Sequence, residues 1–235
     1  MRDIPTGSVD MILCDLPYGT TACAWDSVIP FEPLWREYRR VTKPNAAIVL
    51  TAAQPFTTAL IASNFDMFKY CWIWRKSRAS NQTMAKTQPL RIHEDIVIFS
   101  KMSAHNMALQ KMAYYPQGLQ RVNKLTKQGQ KISENLGEKR SRPSEYFQEW
   151  GNYPKSIIEC SSEGNTIHPT QKPVALFEYL IRTYTNPGDT VLDNCAGSGT
   201  TAIAAINSDR GYICIEKDAE YYRRATERVN NHVGR

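Results

Sequence analysis

The chain has 235 residues, 42% hydrophobic and 22% charged, with a formal net charge of +6. These are the proportions of a soluble globular protein, with room for one sizeable domain or one domain bearing an insertion. No run approaches the roughly 18 apolar residues of a membrane-spanning helix, and the N-terminal MRDIPTGSVD lacks the charged-then-apolar pattern of a signal peptide, so the chain reads as an intracellular, cytoplasmic protein.

Taken in order, VDMILC (9–14) is a short apolar run bounded by turn residues, as expected of a buried parallel strand. FEPLWREYRRV (31–41) places Phe31, Leu34, Trp35, Tyr38 and Val41 along one helical face. KPN stops that helix and AAIVLTA (46–52) reads as the next strand. A helix is expected over 54–65, with Pro55 in its first turn. Two further apolar runs, 70–76 and 94–101, flank a polar stretch, SRASNQTMAKTQP, that reads as a loop. Beyond a segment of weak periodicity, a helix is expected over 174–184 and a strand over 191–195. A small-residue loop, AGSGTT, then opens directly into a helix. GYICIE (211–216) is a strand ending in an acid, and an amphipathic helix closes the chain. Strands alternating with helices predict an α/β fold with a doubly wound, mostly parallel sheet. Such sheets bind ligands beyond the carboxyl ends of their strands. Asp15, Asp193 and Glu216 stand at three such ends and are expected to converge on one edge.

The charge is unevenly placed. Residues 101–155 hold ten basic and four acidic side chains, and the rest of the chain is neutral. The segment is also rich in Gln, Asn, Ser and Tyr, a pattern that fits either a nucleic-acid surface or a solvated loop region. The six cysteines form no C-x-x-C pair and have no histidine at zinc spacing, so buried reduced thiols are expected, and no metal site.

Gly197 and Gly199 allow a tight strand-to-helix turn, and Glu216 lies about twenty residues on, where a carboxylate accepts the hydroxyls of a ribose. GSGTT lacks the lysine of a triphosphate loop, and the third glycine of a dinucleotide fingerprint is missing. An adenosine ligand without phosphates remains, and S-adenosylmethionine is the common one.

Together these stretches resemble the amino-methylating DNA methyltransferases, which methylate adenine N6 or cytosine N4. DLPYG (15–19) resembles the family's D/N/S-P-P-Y catalytic motif, DNCAGSGTT (193–201) its D-P-F-x-G-S-G-T cofactor loop, and HPTQKP (168–173) a motif that precedes that loop. The order of these parts resembles the permuted beta class, with target recognition in the middle. The resemblance divides the chain into a catalytic half (1–101), a target-recognition insertion (102–155) and a cofactor-binding half (156–235) of a Rossmann-like domain. It implies a site-specific transfer from S-adenosylmethionine to the exocyclic amino group of a flipped base in double-stranded DNA. Asp15 and the Leu16 carbonyl would accept the two amino hydrogens, Pro17 would stiffen the turn and Tyr18 would stack on the base. Cofactor contacts fall on Thr170, Lys172, Asp193, Ala196, Gly197, Ser198, Gly199, Thr200 and Glu216, with Lys172 paired to the cofactor's carboxylate. Recognition falls on Arg121, Lys124, Lys127 and Arg140, with Asn123 and Gln128 further candidates. Trp25 is expected either in the base pocket or in the core, and His168 in a structural role. The acidic first residue leans towards adenine, in a bacterial or phage-infected cell, and relatives of this class are often homodimers.

The chain departs from the family at three places. Leu16 replaces a proline but keeps the main-chain carbonyl, and Asn194-Cys195 replace Pro-Phe. Relatives also place a strand ending in Gly-Asp ahead of a segment like RDIPTGSVD, so Met1 is expected to be an internal start. Three alternatives stay open: an N4-cytosine enzyme, a methyltransferase acting on protein glutamine or RNA, and a catalytically inactive DNA-binding module of the same fold. The motif order argues against the second.

Overall fold

In chain order the elements of this computed structural model are β1 (Val9–Asp15), α1 (Phe31–Val41), β2 (Thr42–Ala52), α2 (Phe56–Ser63), β3 (Phe68–Ser80), β4 (Arg91–Phe99), β5 (Gln120–Lys127), β6 (Glu145–Gly151), β7 (Ile157–Glu159), α3 (Val174–Tyr184), β8 (Thr190–Asp193), α4 (Thr200–Ile206), β9 (Gly211–Cys214) and α5 (Ala219–Val233). The structure describes residues 1–21, 23, 26–105, 108–127, 145–161 and 171–234. They form two units, one of Met1–Tyr115 with Ser156–Arg235 and a smaller one of Pro116–Lys155.

The larger unit is built on a seven-stranded sheet in the order β7-β3-β4-β2-β1-β8-β9. β1 lies parallel to both β2 and β8, and β9 extends the parallel run, while β4 is antiparallel to its neighbours β2 and β3. The apolar runs read as strands are continuous because the sheet is covered on both faces. On one side Ile12, Cys14, Leu50 and Phe99 pack with Leu34, Trp35 and Tyr38 of α1 and with Phe56 and Leu60 of α2. On the other side Met11, Leu13, Val49 and Ile98 pack with Leu176, Phe177, Leu180 and Tyr184 of α3. The doubly wound sheet expected from the sequence is the one observed.

α1 and α3 occupy the predicted spans, and Leu34, Trp35, Tyr38 and Val41 form the buried face of α1. Other elements differ. β3 runs on to Ser80, through the first four residues of the stretch read as a loop, because its register with β4 resumes at Ser80 and Arg91 after an irregularity. α2 begins at Phe56, with Pro55 just outside it. The smaller unit starts at Pro116 rather than 102, since Met112 is buried in the larger unit's core and the Tyr115 N–H donates to the Thr183 carbonyl at 2.7 Å. Within the smaller unit, β5 and β6 pair as an antiparallel ribbon with most side chains exposed. Only Cys14 of the six cysteines is fully buried; Cys23 is exposed and the other four are intermediate, all as free thiols.

The α3 face of the core carries one polar knot. The Trp72 indole N–H donates to the Tyr184 hydroxyl at 2.7 Å, and the Tyr70 hydroxyl lies 3.1 Å from the same oxygen. Tyr184→Phe would leave the buried indole N–H without its acceptor, a loss of about 1–3 kcal/mol. Urea unfolding is expected to show a lower midpoint with an unchanged slope.

Candidate active site

Parallel pairing of Met11 with Val191 and of Ile12 with Leu192 brings the carboxyl ends of β1 and β8 side by side. Asp15 and Asp193 therefore reach the same edge, and Glu216 follows from the neighbouring β9. A cavity of about 1040 Å³ opens there, lined by the 15–18 turn, the 193–198 loop and Glu216 among others.

The 15–18 turn is fixed from three directions. Asp15 Oδ1 accepts hydrogen bonds from the hydroxyls of Tyr18 (2.9 Å) and Thr51, the latter brought opposite it by the β1–β2 register. Asp15 Oδ2 lies 2.7 Å from Lys172 Nζ. The Tyr18 ring stacks on Phe56 with centroids 5.1 Å apart and planes 23° apart. Burial, and then the charges of Asp15 and Glu94, push its phenol well above the ordinary tyrosine range, so Tyr18 stays a hydroxyl donor. Leu16 is buried and Pro17 is half-buried, and both line the cavity. Beyond the turn, Gly19 takes a φ of +68°, which a side chain would strain. That conformation aims the N–H groups of Gly19, Thr20 and Thr21 at the Asp26 carboxylate, at 2.7–2.9 Å. Burial works against the charge on Asp26, but these donors and the Thr21 hydroxyl outweigh it and hold the carboxyl below its usual range.

The second loop is tied down by its acids. The Asp193 carboxylate accepts from the Cys195 N–H at 3.0 Å and from the Thr201 hydroxyl. Glu216 accepts from the Gly197 N–H at 2.8 Å with one oxygen and from the Asp218 N–H at 2.9 Å with the other. Arg228 of α5 donates to the Ser198 carbonyl at 3.0 Å and to the Thr200 hydroxyl at 3.1 Å. The Thr200 hydroxyl in turn donates to the Lys172 carbonyl at 3.3 Å, joining the loop to the end of the HPTQKP segment.

The structure therefore gathers Asp15, Leu16, Pro17, Tyr18, Lys172, Asp193, Ala196, Gly197, Ser198, Thr200 and Glu216 around one cavity. Two expectations change. Gly199, expected among the cofactor contacts, does not line the cavity. It starts α4 at φ +74°, and a Cβ there would sit 3.3 Å from that of Ala225, so its role is the close approach of α5. Lys172, expected to reach a cofactor carboxylate, is instead bound to Asp15 and lies 3.4 Å from Glu94. Thr170, Trp25, His168, Gln128 and Arg140 lie outside the described residues.

On the ribbon, Arg121 pairs with Glu149 at 3.4 Å and lies over the Trp150 ring, and Lys127 pairs with Glu145 at 3.5 Å. Lys124 stands opposite Gln148, so part of the positive excess is already matched across the strands. Sequence reading missed Thr51, Lys76, Glu94, Asp26 and Arg228. Glu94 at the head of an apolar strand was the one legible signal among them. Of the described residues, no cluster of metal-ligating side chains stands out, and no helix is long and apolar enough to cross a membrane.

Asp193 is the unusual acid of the group. Burial pushes its carboxyl up to about 6, against the Thr201 hydroxyl and the Cys195 N–H, which favour the charged form. An unfolded aspartate titrates near about 3.9. Between those values the folded state holds the proton longer, so this group's contribution to stability falls as pH rises and is lost above about 6. Asp193→Asn removes that titration. Thermal unfolding from pH 4 to 8 is expected to show the variant gaining on the wild type up to pH ~6 and keeping a constant difference beyond it. A pH-independent difference would mean that Asp193 titrates normally.

A model of the family N6_N4_Mtase, described as DNA methylase, matches residues 9–227. The type II methyltransferase M.HpaI of Haemophilus parainfluenzae is 26% identical over 98% of this chain and 71% of its own length. The solved structure of the PvuII DNA methyltransferase, described as cytosine-N4-specific, superposes with a TM-score of 0.64 at 16% identity, covering 100% of this chain and 87% of that one. The M1.HpyAVI–SAM complex gives 0.60 at 24% identity, over 94% and 88%. The two structures share the fold, and the family match extends over nearly all of the sequence: the chain belongs to the N6_N4_Mtase family of DNA methylases.

Proposed function

We propose that this protein transfers a methyl group from S-adenosylmethionine to the exocyclic amino group of a base in double-stranded DNA, adenine N6 in preference to cytosine N4. The observation that carries the reading is the shared cavity, where Asp15 of the catalytic-type turn and the 193–200 loop meet at the ends of adjacent parallel strands. Its volume of about 1040 Å³ lies at the top of the usual range for ligand pockets, enough for a nucleoside cofactor with a base beside it.

The residues present fit this cofactor. Glu216 is held at the cavity by two main-chain donors, with lone pairs left over for ribose hydroxyls. Gly197, at φ +50°, lets the backbone turn at the wall without a side chain. Ala196 and Ser198 keep that wall low. When bound, S-adenosylmethionine supplies an electrophilic methyl group on a sulfonium.

The remaining work belongs to the chain. An exocyclic amino group is a poor nucleophile because its lone pair is delocalised into the ring. Asp15 Oδ2 and the Leu16 carbonyl accept its two hydrogens, drawing the nitrogen towards a pyramidal geometry with its lone pair directed at the methyl group. This is positioning and electrostatics rather than covalent catalysis. Methylation puts positive charge on that nitrogen, and the adjacent Asp15 carboxylate is placed to take the proton it sheds. The amino group is paired inside a duplex, so the base must leave the stack. Tyr18, braced from behind by Phe56, offers it a ring. The exposed ribbon, with Arg121, Lys124 and Lys127 beside Phe147 and Trp150, is the proposed DNA-reading surface. The adenine preference rests on the acid at the first position of the catalytic turn.

Incubation with labelled S-adenosylmethionine and unmethylated duplex, followed by digestion to nucleosides and mass analysis, tests the reaction. N6-methyladenine is expected, and it should vanish with Asp15→Ala. N4-methylcytosine would retain the mechanism and overturn the base preference. Cofactor binding without any methylated base would favour the inactive DNA-binding module.

Arg121→Ala and Lys124→Ala are each expected to weaken DNA binding across sequences and to reduce the slope of log affinity against log salt by about 1. A salt series unchanged in both variants would remove the ribbon as the DNA surface.

A further inference from the structure

Behind Asp15 lies a chain of buried charges that the proposed reaction does not yet use. Lys172 Nζ is 2.7 Å from Asp15 Oδ2 and 3.4 Å from Glu94 Oε2, and Lys76 pairs with the other oxygen of Glu94. The side chains of Lys172, Glu94 and Lys76 are 7%, 12% and 15% exposed. Two ammoniums alternate with two carboxylates, so the row is neutral as a whole. Burial alone would discharge Lys172, but Asp15 and Glu94 outweigh it and hold the ammonium charged; Lys172 and Lys76 do the same for Glu94.

The arrangement is uneven at one atom. Asp15 Oδ1 already has two hydroxyl donors and Oδ2 has the ammonium. Glu94 Oε2 is buried and accepts no hydrogen bond. The ammonium thus takes up one lone pair of the oxygen that an incoming amino group needs, while Glu94 Oε2, 3.4 Å from the same ammonium, has no closer donor. The reaction also moves positive charge onto the amino nitrogen. An ammonium bound to the same carboxylate opposes that charge, and one withdrawn to Glu94 opposes it less.

We propose that Glu94 is a positioning residue that receives Lys172 when the target base takes its place on Asp15. The lysine neutralises Asp15, and a displacement of well under a side-chain length changes its nearer partner from Asp15 to Glu94. Lys76 keeps Glu94 ionised and aimed during the exchange. Without Glu94 the ammonium has nowhere to go and stays on Asp15. This inference rests on the amino-methyltransferase reading of the same cavity.

Single-turnover methylation of duplex DNA by the wild type, Glu94→Gln, and Glu94→Gln/Lys172→Gln tests it, with S-adenosylmethionine and DNA affinities measured alongside. Glu94→Gln is expected to lose on the order of 100-fold in rate with both affinities nearly unchanged, as for a group that acts only in the reacting complex. The double variant removes one charge of each sign, so the row stays neutral and Asp15 is unclamped. It is expected to recover at least about tenfold over Glu94→Gln, a non-additive effect of the kind coupled neighbours show. A merely structural Glu94 predicts added losses and a parallel fall in cofactor affinity. A wild-type rate in Glu94→Gln, or a double variant no faster than the single, overturns the proposal. Should Glu94→Gln fail to fold, Glu94→Asp keeps the charge and draws the acceptor back by one methylene. It is expected to slow the rate at normal cofactor affinity, and an undiminished rate there overturns the proposal equally. A wild type that makes no methylated base sinks the function reading itself, and this inference with it.

Discussion

Pairing between β1 and β8 is the constraint on which the site depends. Two strands from opposite ends of the chain lie parallel, with Met11 against Val191 and Ile12 against Leu192. Their carboxyl ends, and the acids that follow, must therefore emerge at one edge. Neither strand has a polar face, because helices cover the sheet on both sides. A slip in register would move the acids along the edge and break apolar contacts on both faces together, so the packing that stabilises the fold also sets the distance between the two functional loops. The separation of the two halves in sequence has little bearing on this, since the intervening ribbon forms a unit of its own.

The edge is a costly place to gather acids, and the structure offsets the cost by a different means at each. Asp193 is buried among neutral donors and responds by holding its proton to about 6. Glu216 is given main-chain N–H groups. Asp15 is given a lysine. These choices follow what each position faces. Asp193 braces the loop through Cys195 and Thr201, a task that needs hydrogen bonds more than charge. Asp15 lies where the proposed reaction develops positive charge, and its partner there is a cation that can withdraw rather than a set of fixed neutral donors.

Much of this was legible in the residues, and the rest was hidden for identifiable reasons. α1 and α3 were readable because their apolar residues fall on single helical faces bounded by proline-containing breaks. The turn at 15–18 and the loop at 193–200 carried residue types that a plain strand end does not need. The β5–β6 ribbon was not readable: with both faces largely exposed, it lacks the alternation by which a half-buried strand declares itself. Thr51 belongs to the site only through the pairing of β2 with β1, Glu94 only through its place opposite Trp74 on the β3–β4 pair, and Arg228 only through its reach from α5 to the 198–200 loop. The helix approach at Gly199 was not legible because the same φ > 0 serves a ligand approach and a helix approach equally, and only the neighbour at 3.3 Å shows the second.

Lys172 lies in the expected cavity with protein partners that the sequence did not indicate. Its position in HPTQKP resembles a cofactor contact, and its carbonyl is indeed tied to the glycine loop through Thr200. Its ammonium, however, extends towards β1 and β4 and ends between Asp15 and Glu94. One residue thus touches both loops, its carbonyl accepting from Thr200 and its ammonium paired with Asp15. A shift of the 196–200 loop on cofactor binding would be felt at the Lys172 main chain, and a shift of the ammonium would be felt at Asp15. Among the described residues, Lys172 thus stands beside the β1–β8 pairing as a link between the two halves of the site. That coupling requires no motion of the sheet, which the core on both faces holds rigid.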